Sequence, residues 1–177
     1  SALKKSIEDV VEGTVYGAGA DDAVRREIHR LRMRMETEIA RESAGSYNIK
    51  TGRGGMVDVE FIVQYLQLAH GREHAEIRAV NTVEALQAIM GSGIIGRKDG
   101  TTLLDGYLCL RRLENRLRII HDYSMNDLGG SLEYLNRLAR RLGYDPKLRN
   151  PGQVMMKDYE KMTGAIRAVY DRILGEG

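Results

Sequence analysis

Apolar residues recur at intervals of three and four almost throughout this chain, and that spacing places them on one face of an α-helix. A clear example near the C-terminus has its apolar positions at Met155, Tyr159, Met162, Ile166, Val169 and Ile173. The chain has two prolines and one phenylalanine, and alternating β-branched runs are few. The sequence therefore predicts an all-α bundle of about seven helices, with residues 47–50 compatible with one short extended segment.

Capping residues indicate where the predicted helices begin and end. The seven helices are expected at about residues 2–12, 22–39, 57–70, 82–91, 98–122, 132–142 and 151–173. Asp21 or Asp22, Asn81 and Ser131 are placed to accept N–H groups of a first turn, and Pro151 stands at a first helical position. The second helix carries an apolar stripe, typical of a face that packs on a core, while its other side is charged. That stripe consists of Val24, Ile28, Leu31, Met35 and Ile39.

Composition restricts the classes of protein that fit. At 177 residues the chain is sized for a single domain, and its net charge of +2 is too balanced for a general nucleic-acid binder. One cysteine, Cys109, allows no intramolecular disulfide and fits a reducing cytoplasm. No run of 18 apolar residues is present, so we expect no membrane span and a cytoplasmic location. The chain begins Ser1-Ala2 without Met, which suggests a piece of a longer protein.

The stretch "YNIKTGRGGMVDVEFIVQYLQL", residues 47–68, places three glycines and two cations before a long apolar helix. At a helix start the first N–H groups lack partners and the dipole is positive, so glycines beside Lys50 and Arg53 could form an anion site. The candidate residues are Lys50, Gly52, Arg53, Gly54, Gly55 and Asp58. The pattern is neither a Walker A loop nor a dinucleotide fingerprint. A flexible loop with Asp58 as a capping residue explains it as well.

On the helix that follows, Glu60, Gln64 and Gln67 form a polar stripe. Such a stripe either faces solvent or, if it is buried, requires a partner for Glu60. The expected partners lie in "LRRLENRLR", where the structural ion-pair candidates are Arg111, Arg112, Glu114 and Asn115.

We expect no metal site in this chain. His70 and His74 have the spacing of a helical zinc pair, but Gly71 interrupts the shared face. The arginine-rich run lacks the aromatic residues that stack on RNA bases, so nucleic acid is not an expected partner.

At "NIKTGRGGMVDVEFIVQYLQLAHG" the sequence resembles the helical domains of the glutamine synthetase adenylyltransferase family. The family signature Lys-x-Gly-x-Gly-Gly-(Ile/Leu/Met)-x-(Asp/Glu)-(Ile/Val)-Glu-Phe-Ile-x-Gln is matched at Lys50, Gly52, Gly54, Gly55, Asp58, Glu60, Phe61, Ile62 and Gln64. The segments "YLCLRRLENRLRI" and "LARRLGY" are similar to further family segments, so the resemblance covers about residues 21–175.

The resemblance implies a role beside a catalytic domain. In that family each half of a long protein pairs a nucleotidyltransferase domain with a helical domain, and "DVEFIVQYLQL" is more similar to the C-terminal half, which adenylylates. The metal-binding Asp-x-Asp of the catalytic domain has no match here, since Asp99 and Asp105 near Gly91-Ser92 form no such pair. We therefore expect a fragment without transferase activity or a bound cofactor of its own, while the parent enzyme uses ATP and Mg²⁺.

The expected partners are the nucleotidyltransferase domain of the same polypeptide, glutamine synthetase and the PII signal protein. Two interpretations of the loop remain open. In one, Lys50 and the N–H groups of Gly54 and Gly55 hold ATP phosphates at the interface with the catalytic domain. In the other, the glycines permit close packing, and Asp58 and Glu60 bond to loop amides and to Arg111 or Arg112. The alternative function is a docking module for glutamine synthetase or PII that does not contact nucleotide.

Overall fold

The structure is a computed structural model that describes residues 5–6, 10, 12–17, 19–43, 45–121 and 126–175. Within these residues it contains six α-helices and one two-stranded antiparallel sheet. The helices are α1 Asp22–Met35, α2 Met56–His70, α3 Thr82–Gly91, α4 Arg97–His121, α5 Leu132–Leu142 and α6 Pro151–Ile173, and the strands are β1 Ser46–Asn48 and β2 Asp127–Gly129. The all-α class is confirmed, as is a short extended segment. Most of the helix expected at 2–12 lies outside the described residues.

The capping residues expected from the sequence lie at the observed helix ends. The side chains of Asp21, Asn81 and Ser131 each accept an N–H group from the first turn of α1, α3 and α5. Pro151 is the first residue of α6, and Gly143 ends α5 in the left-handed conformation with φ 98°. Because caps act within one turn of chain, local sequence was sufficient to place these ends.

The core lies where α2, α3, α4 and α6 meet. Helix α2 is central, and its buried apolar residues are Met56, Val57, Val59, Ile62, Val63 and Leu66. The small sheet pairs Tyr47 with Leu128, and it joins the segment before α2 to the segment after α4. Leu128 is fully buried, so this pairing also contributes to the core. None of the helices in the described part of the chain is long and apolar enough to cross a membrane.

Helix α1 contacts the rest of the domain mainly through polar residues, whereas the sequence predicts contact through its apolar stripe. Arg32 is fully buried, whereas Leu31 is 42% exposed and Ile39, in the turn Glu36–Ala40 that continues the helix, is 56% exposed. The polar residues that contact the rest of the domain from this helix and turn are Arg25, His29, Arg32 and Glu36. At 3.6 residues per turn, this polar face is centred about a quarter turn away from the apolar stripe. The expectation that the apolar stripe packs on the core holds for Ile28 but not for the exposed residues of the stripe, because polar partners on α2 and α6 draw the charged face inward.

Candidate functional site

The loop before α2 is organised by Asn48. Its Oδ1 accepts the N–H groups of Lys50, at 3.1 Å, and Thr51, at 2.9 Å, and its carbonyl accepts the Gly52 N–H at 2.8 Å. An Asn side chain that bonds to the backbone two and three residues ahead fixes a tight turn. The turn therefore holds Lys50 at a defined position at the end of β1.

The remaining N–H groups of the loop also have acceptors inside the domain. The Arg53 N–H points to Glu42 Oε2 at 3.3 Å, the Gly54 N–H donates to Asp58 Oδ2 at 2.8 Å, and the Gly55 N–H donates to the Gly52 carbonyl at 3.0 Å. All the N–H groups from residue 50 to 55 are thus used internally. The expectation that the N–H groups of Gly54 and Gly55 hold phosphate needs correction, because a phosphate would have to displace a buried carboxylate and a backbone carbonyl.

Close packing requires the glycines of this loop. Gly54 has φ +72°, and a Cβ there would collide with the backbone of Thr163 on α6. A Cβ at Gly52 would meet the Glu42 carboxylate and the Asn48 carbonyl, and one at Gly55 would meet loop carbonyls. The loop therefore lies against α6 without intervening side chains, as the packing interpretation of the glycines expects.

Asp58 anchors the loop from the first turn of α2. Its carboxylate is fully buried, and Oδ1 lies 2.5 Å from Arg32 Nε, without the alignment of a hydrogen bond. Arg32 also donates from Nη2 to the Gly52 carbonyl at 2.7 Å, so one guanidinium joins α1 to both ends of the loop. Burial raises the pKa of Asp58, and the positive charges of Arg32 and Arg167 act in the opposite direction. The cationic partners of Asp58 are thus Arg32 and Arg167, not Arg111 or Arg112.

Arg167 on α6 completes this group. It donates from Nη1 to Glu36 Oε2 and from Nε to Asp171 Oδ1, both at 2.7 Å, and Nη1 lies 3.6 Å from Asp58 Oδ2. Burial lowers the pKa of Arg167, but the three carboxylates outweigh it and the pKa is raised. We call this group the charge cluster; its members are Arg32, Glu36, Asp58, Arg167 and Asp171. It binds α1, α2 and α6 together directly behind the loop.

The two cationic side chains of the loop are exposed to solvent. Lys50 is exposed and has no ion-pair partner among the described residues. Arg53 lies 3.5 Å from Asp171 Oδ2, and its side chain is 58% exposed. Any anion that meets this loop must therefore do so through Lys50 and the outer part of Arg53, not through backbone N–H groups.

Glu60 has an uncharged partner. The Tyr107 hydroxyl donates to Glu60 Oε1 at 3.0 Å, and burial is the main cause of a raised Tyr107 pKa. Glu60 and Gln64 line a polar cavity of about 260 Å³ together with Arg78 and Thr82. Gln67, the third residue of the stripe, lines the same cavity and donates to the backbone carbonyls of residues 77 and 79. Neither Arg111 nor Arg112 is the partner of Glu60, which corrects that expectation.

Among the described residues, the arginine-rich segment of α4 takes part in one ion pair. Arg111 Nη1 lies 2.8 Å from Glu114 Oε2, and Glu114 is buried. Arg112 and Asn115 instead line a shallow cavity of about 250 Å³ with Arg116. The candidates on α4 are therefore separate from the loop of Lys50.

The comparisons with known proteins cover nearly all of the chain. The model of the GlnD PII-uridylyltransferase family matches residues 22–174. A bifunctional glutamine synthetase adenylyltransferase/adenylyl-removing enzyme of Corynebacterium glutamicum is 35% identical over 174 residues, which is 97% of this chain and 17% of that protein. Proteins of the same name from Streptomyces avermitilis and Corynebacterium efficiens are 36% and 41% identical over 85% and 66% of this chain, and over 15% and 11% of their own lengths.

The all-α fold built around this loop, matched over almost its full length by one family model, is that of a helical domain. The chain belongs to the GlnD PII-uridylyltransferase family, as a domain of the kind found in the bifunctional glutamine synthetase adenylyltransferase/adenylyl-removing enzymes. It spans 11–17% of the length of these three relatives.

Proposed function

We propose that this chain is the accessory, regulatory helical domain of a larger cytoplasmic enzyme that adenylylates and deadenylylates glutamine synthetase. In the forward reaction a tyrosine oxygen of glutamine synthetase attacks the α-phosphorus of ATP, giving the adenylylated tyrosine and pyrophosphate, with Mg²⁺ supplied in the catalytic domain. The match to a protein of that name over 97% of this chain carries the proposal. The similarity of residues 58–68 to the C-terminal half favours the adenylylating half.

Within this function, the Lys50 loop is proposed to contact the catalytic domain of the same polypeptide. Lys50 is exposed, yet it stands on a turn that Asn48 and the charge cluster hold in place. A cation on a rigid support can stabilise a triphosphate or a carboxylate of a neighbouring domain without losing much conformational freedom. The Lys50 side chain, and not the glycine N–H groups, would supply this contact.

The experiment is intact-mass spectrometry of glutamine synthetase after incubation with ATP and Mg²⁺. The protein tested is the longer polypeptide that carries this domain, as wild type, as Lys50→Ala and as Lys98→Ala, where Lys98 is an exposed lysine at the start of α4. We expect an AMP-sized mass increase with the wild type and with Lys98→Ala, and a slower increase with Lys50→Ala at an unchanged melting temperature. Wild-type rates for Lys50→Ala would refute the role of Lys50, and no increase with the wild type would refute the reaction.

A docking module for glutamine synthetase or the PII signal protein is the second candidate. The observation that favours it is the internal use of every loop N–H group from residue 50 to 55, which removes the backbone donors a nucleotide site would use. Hydrogen exchange of the longer polypeptide discriminates between the two. Protection of residues 50–58 on addition of ATP favours the accessory role, whereas protection only on addition of glutamine synthetase or PII favours docking.

A further inference from the structure

The apolar stripe of α1 is only partly covered by the described residues of the domain. Val24 is 36% exposed, Leu31 42% and Ile39, just beyond the helix, 56%, while Met35 is half-buried and Ile28 packs against the core with one side. Single exposed apolar residues are common on protein surfaces and need no explanation. Here three exposed and two half-buried residues lie on one continuous stripe, at successive spacings of four, three, four and four, which is the pattern with which one helix packs against another element. We define these five residues as the α1 apolar face.

The charged residues beside this face are already paired with one another. Arg30 lies 2.6 Å from Glu27, and Arg34 lies 3.1 Å from Glu38, so both pairs satisfy their charge within α1 and the turn that continues it. On the other side the charge cluster holds Arg32 and Glu36. An apolar centre flanked by polar groups that need no new partner is the composition of a protein interface, in which the rim stays polar and the centre excludes water.

The α1 apolar face is continuous with the candidate site. Ile39, at the end of the face, lines a cavity of about 210 Å³ together with Asn48 and Asp127. Asn48 is the residue that builds the turn of Lys50. A partner surface that covers Ile39 would therefore reach the Lys50 loop as well.

We propose that the α1 apolar face is the contact surface for another domain of the same longer polypeptide, seated beside the Lys50 loop. The relatives supply the occupant, because this domain corresponds to only 15% and 17% of two proteins that match most of it, so most of each polypeptide lies outside it. The proposal rests on the proposed function for the existence of such a domain in this protein. It adds the surface through which that domain docks, which the loop alone does not define.

Cysteine labelling of the longer polypeptide tests the proposal without an activity measurement. Leu31→Cys and, as a matched control, Leu108→Cys on α4 are introduced separately with Cys109→Ser; the two leucines are 42% and 43% exposed within the domain. The alkylation rate at each site is followed by peptide mass spectrometry in native and in urea-unfolded protein. We expect Cys at position 31 to be at least tenfold better protected by the native fold than Cys at position 108.

Equal protection at the two positions would overturn the proposal. The same labelling is repeated after dilution of the protein, since protection that decreases on dilution would identify a second copy as the occupant and would also overturn it. Because labelling does not depend on adenylyl transfer, an inactive enzyme with position 31 protected would refute the proposed reaction while leaving this surface supported. An active enzyme with position 31 unprotected would support the proposed reaction and refute this surface.

Discussion

Helix α6 meets its neighbours through two interfaces of opposite character. Toward α1 and α2 it presents Arg167 and Asp171, which take part in the charge cluster. Toward α4 and α5 it presents apolar side chains around a cavity of about 280 Å³, whose apolar lining includes Leu113, Leu142 and Met155. Charged groups require particular partners at particular distances, whereas apolar contact depends mainly on volume. The difference teaches that the side of α6 next to the candidate loop is held by specific charge pairs, while the far side leaves a largely apolar cavity between the helices.

Removal of one member of the charge cluster should give the largest effect on stability. Arg32→Met leaves the fully buried Asp58 carboxylate without its nearest cation, and breaking a buried pair in this way costs about 3–5 kcal/mol. The free energy of unfolding, from urea titration of the chain, measures the loss. Arg34→Met is the matched control, since the Arg34–Glu38 pair on the same helix is exposed and such pairs contribute about 0–1 kcal/mol.

A second substitution separates the cluster's charge from its packing. Adding Asp58→Asn to Arg32→Met removes the stranded charge and keeps an amide oxygen that can accept the Gly54 N–H, so part of the lost stability should return. If Arg32→Met unfolds no more easily than Arg34→Met, or if Asp58→Asn makes the double variant worse, the charged interface does not have the energetic role assigned to it.

The second largest loss of stability is expected at Gly54, in the loop that the charge cluster supports. Gly54→Ala forces a side chain into the left-handed conformation, at a cost of about 1–2 kcal/mol, and drives its Cβ into the Thr163 backbone. We expect a total loss of more than about 2 kcal/mol in the free energy of unfolding. Gly164→Ala is the control on α6, where a Cβ meets nothing within 4 Å, and it should stabilise the chain by about 0.5–1 kcal/mol. A neutral Gly54→Ala would mean that the loop does not press on α6.

How much of this arrangement the sequence predicts depends on how far apart the interacting residues are. Asp21, Asn81, Ser131 and Pro151 act within one turn of chain, so they place helix ends correctly. The apolar stripe of α1 did not predict the orientation of this helix, because the orientation depends on partners supplied by α2 and α6.

The candidate loop shows the same limit at closer range. Its glycines and Lys50 are visible as a pattern, but the acceptors of its N–H groups include Glu42, which precedes the loop, and Asp58, which follows it. When those acceptors are not taken into account, the loop pattern predicts free N–H donors at a helix start, as in an anion site.

The sequence of α1 did contain a usable signal for its orientation. Arg25, Arg32 and Glu36 lie on one side of the helix, and a second polar stripe of that kind is compatible with buried ion pairs.

Two tyrosines on α6 allow a finer comparison of the interfaces. Tyr170, beside the charge cluster, has its hydroxyl 3.3 Å from His29 Nδ1, whereas the buried Tyr159 hydroxyl has no hydrogen-bond partner among the described residues. An unpaired buried hydroxyl is costly, while a paired one contributes about 0.5–1.5 kcal/mol. Tyr170→Phe should therefore lower the free energy of unfolding by about 1 kcal/mol, and Tyr159→Phe should leave it unchanged or raise it. Equal losses in the two variants would show that Tyr159 is satisfied by bound water.

The smallest effect is expected at Cys109, at the cavity of the apolar interface. Cys109 is exposed at the edge of this cavity, and its partial burial raises the pKa of the thiol; the positive charge of Arg112 opposes the effect, and the negative charge of Asp158 adds to it. Because the thiolate is the reactive form, alkylation of the native chain should follow a pH profile displaced to higher pH than that of the urea-unfolded chain. The rate with iodoacetamide between pH 7 and 10 measures the displacement.

Leu142→Lys, which would bring a positive charge to the same cavity, should move the native profile back toward lower pH, since a nearby cation stabilises the thiolate. A native profile that coincides with the unfolded one would mean that water solvates the thiolate fully at this edge of the apolar interface, and the contrast with the buried Arg32–Asp58 pair would then be sharper still.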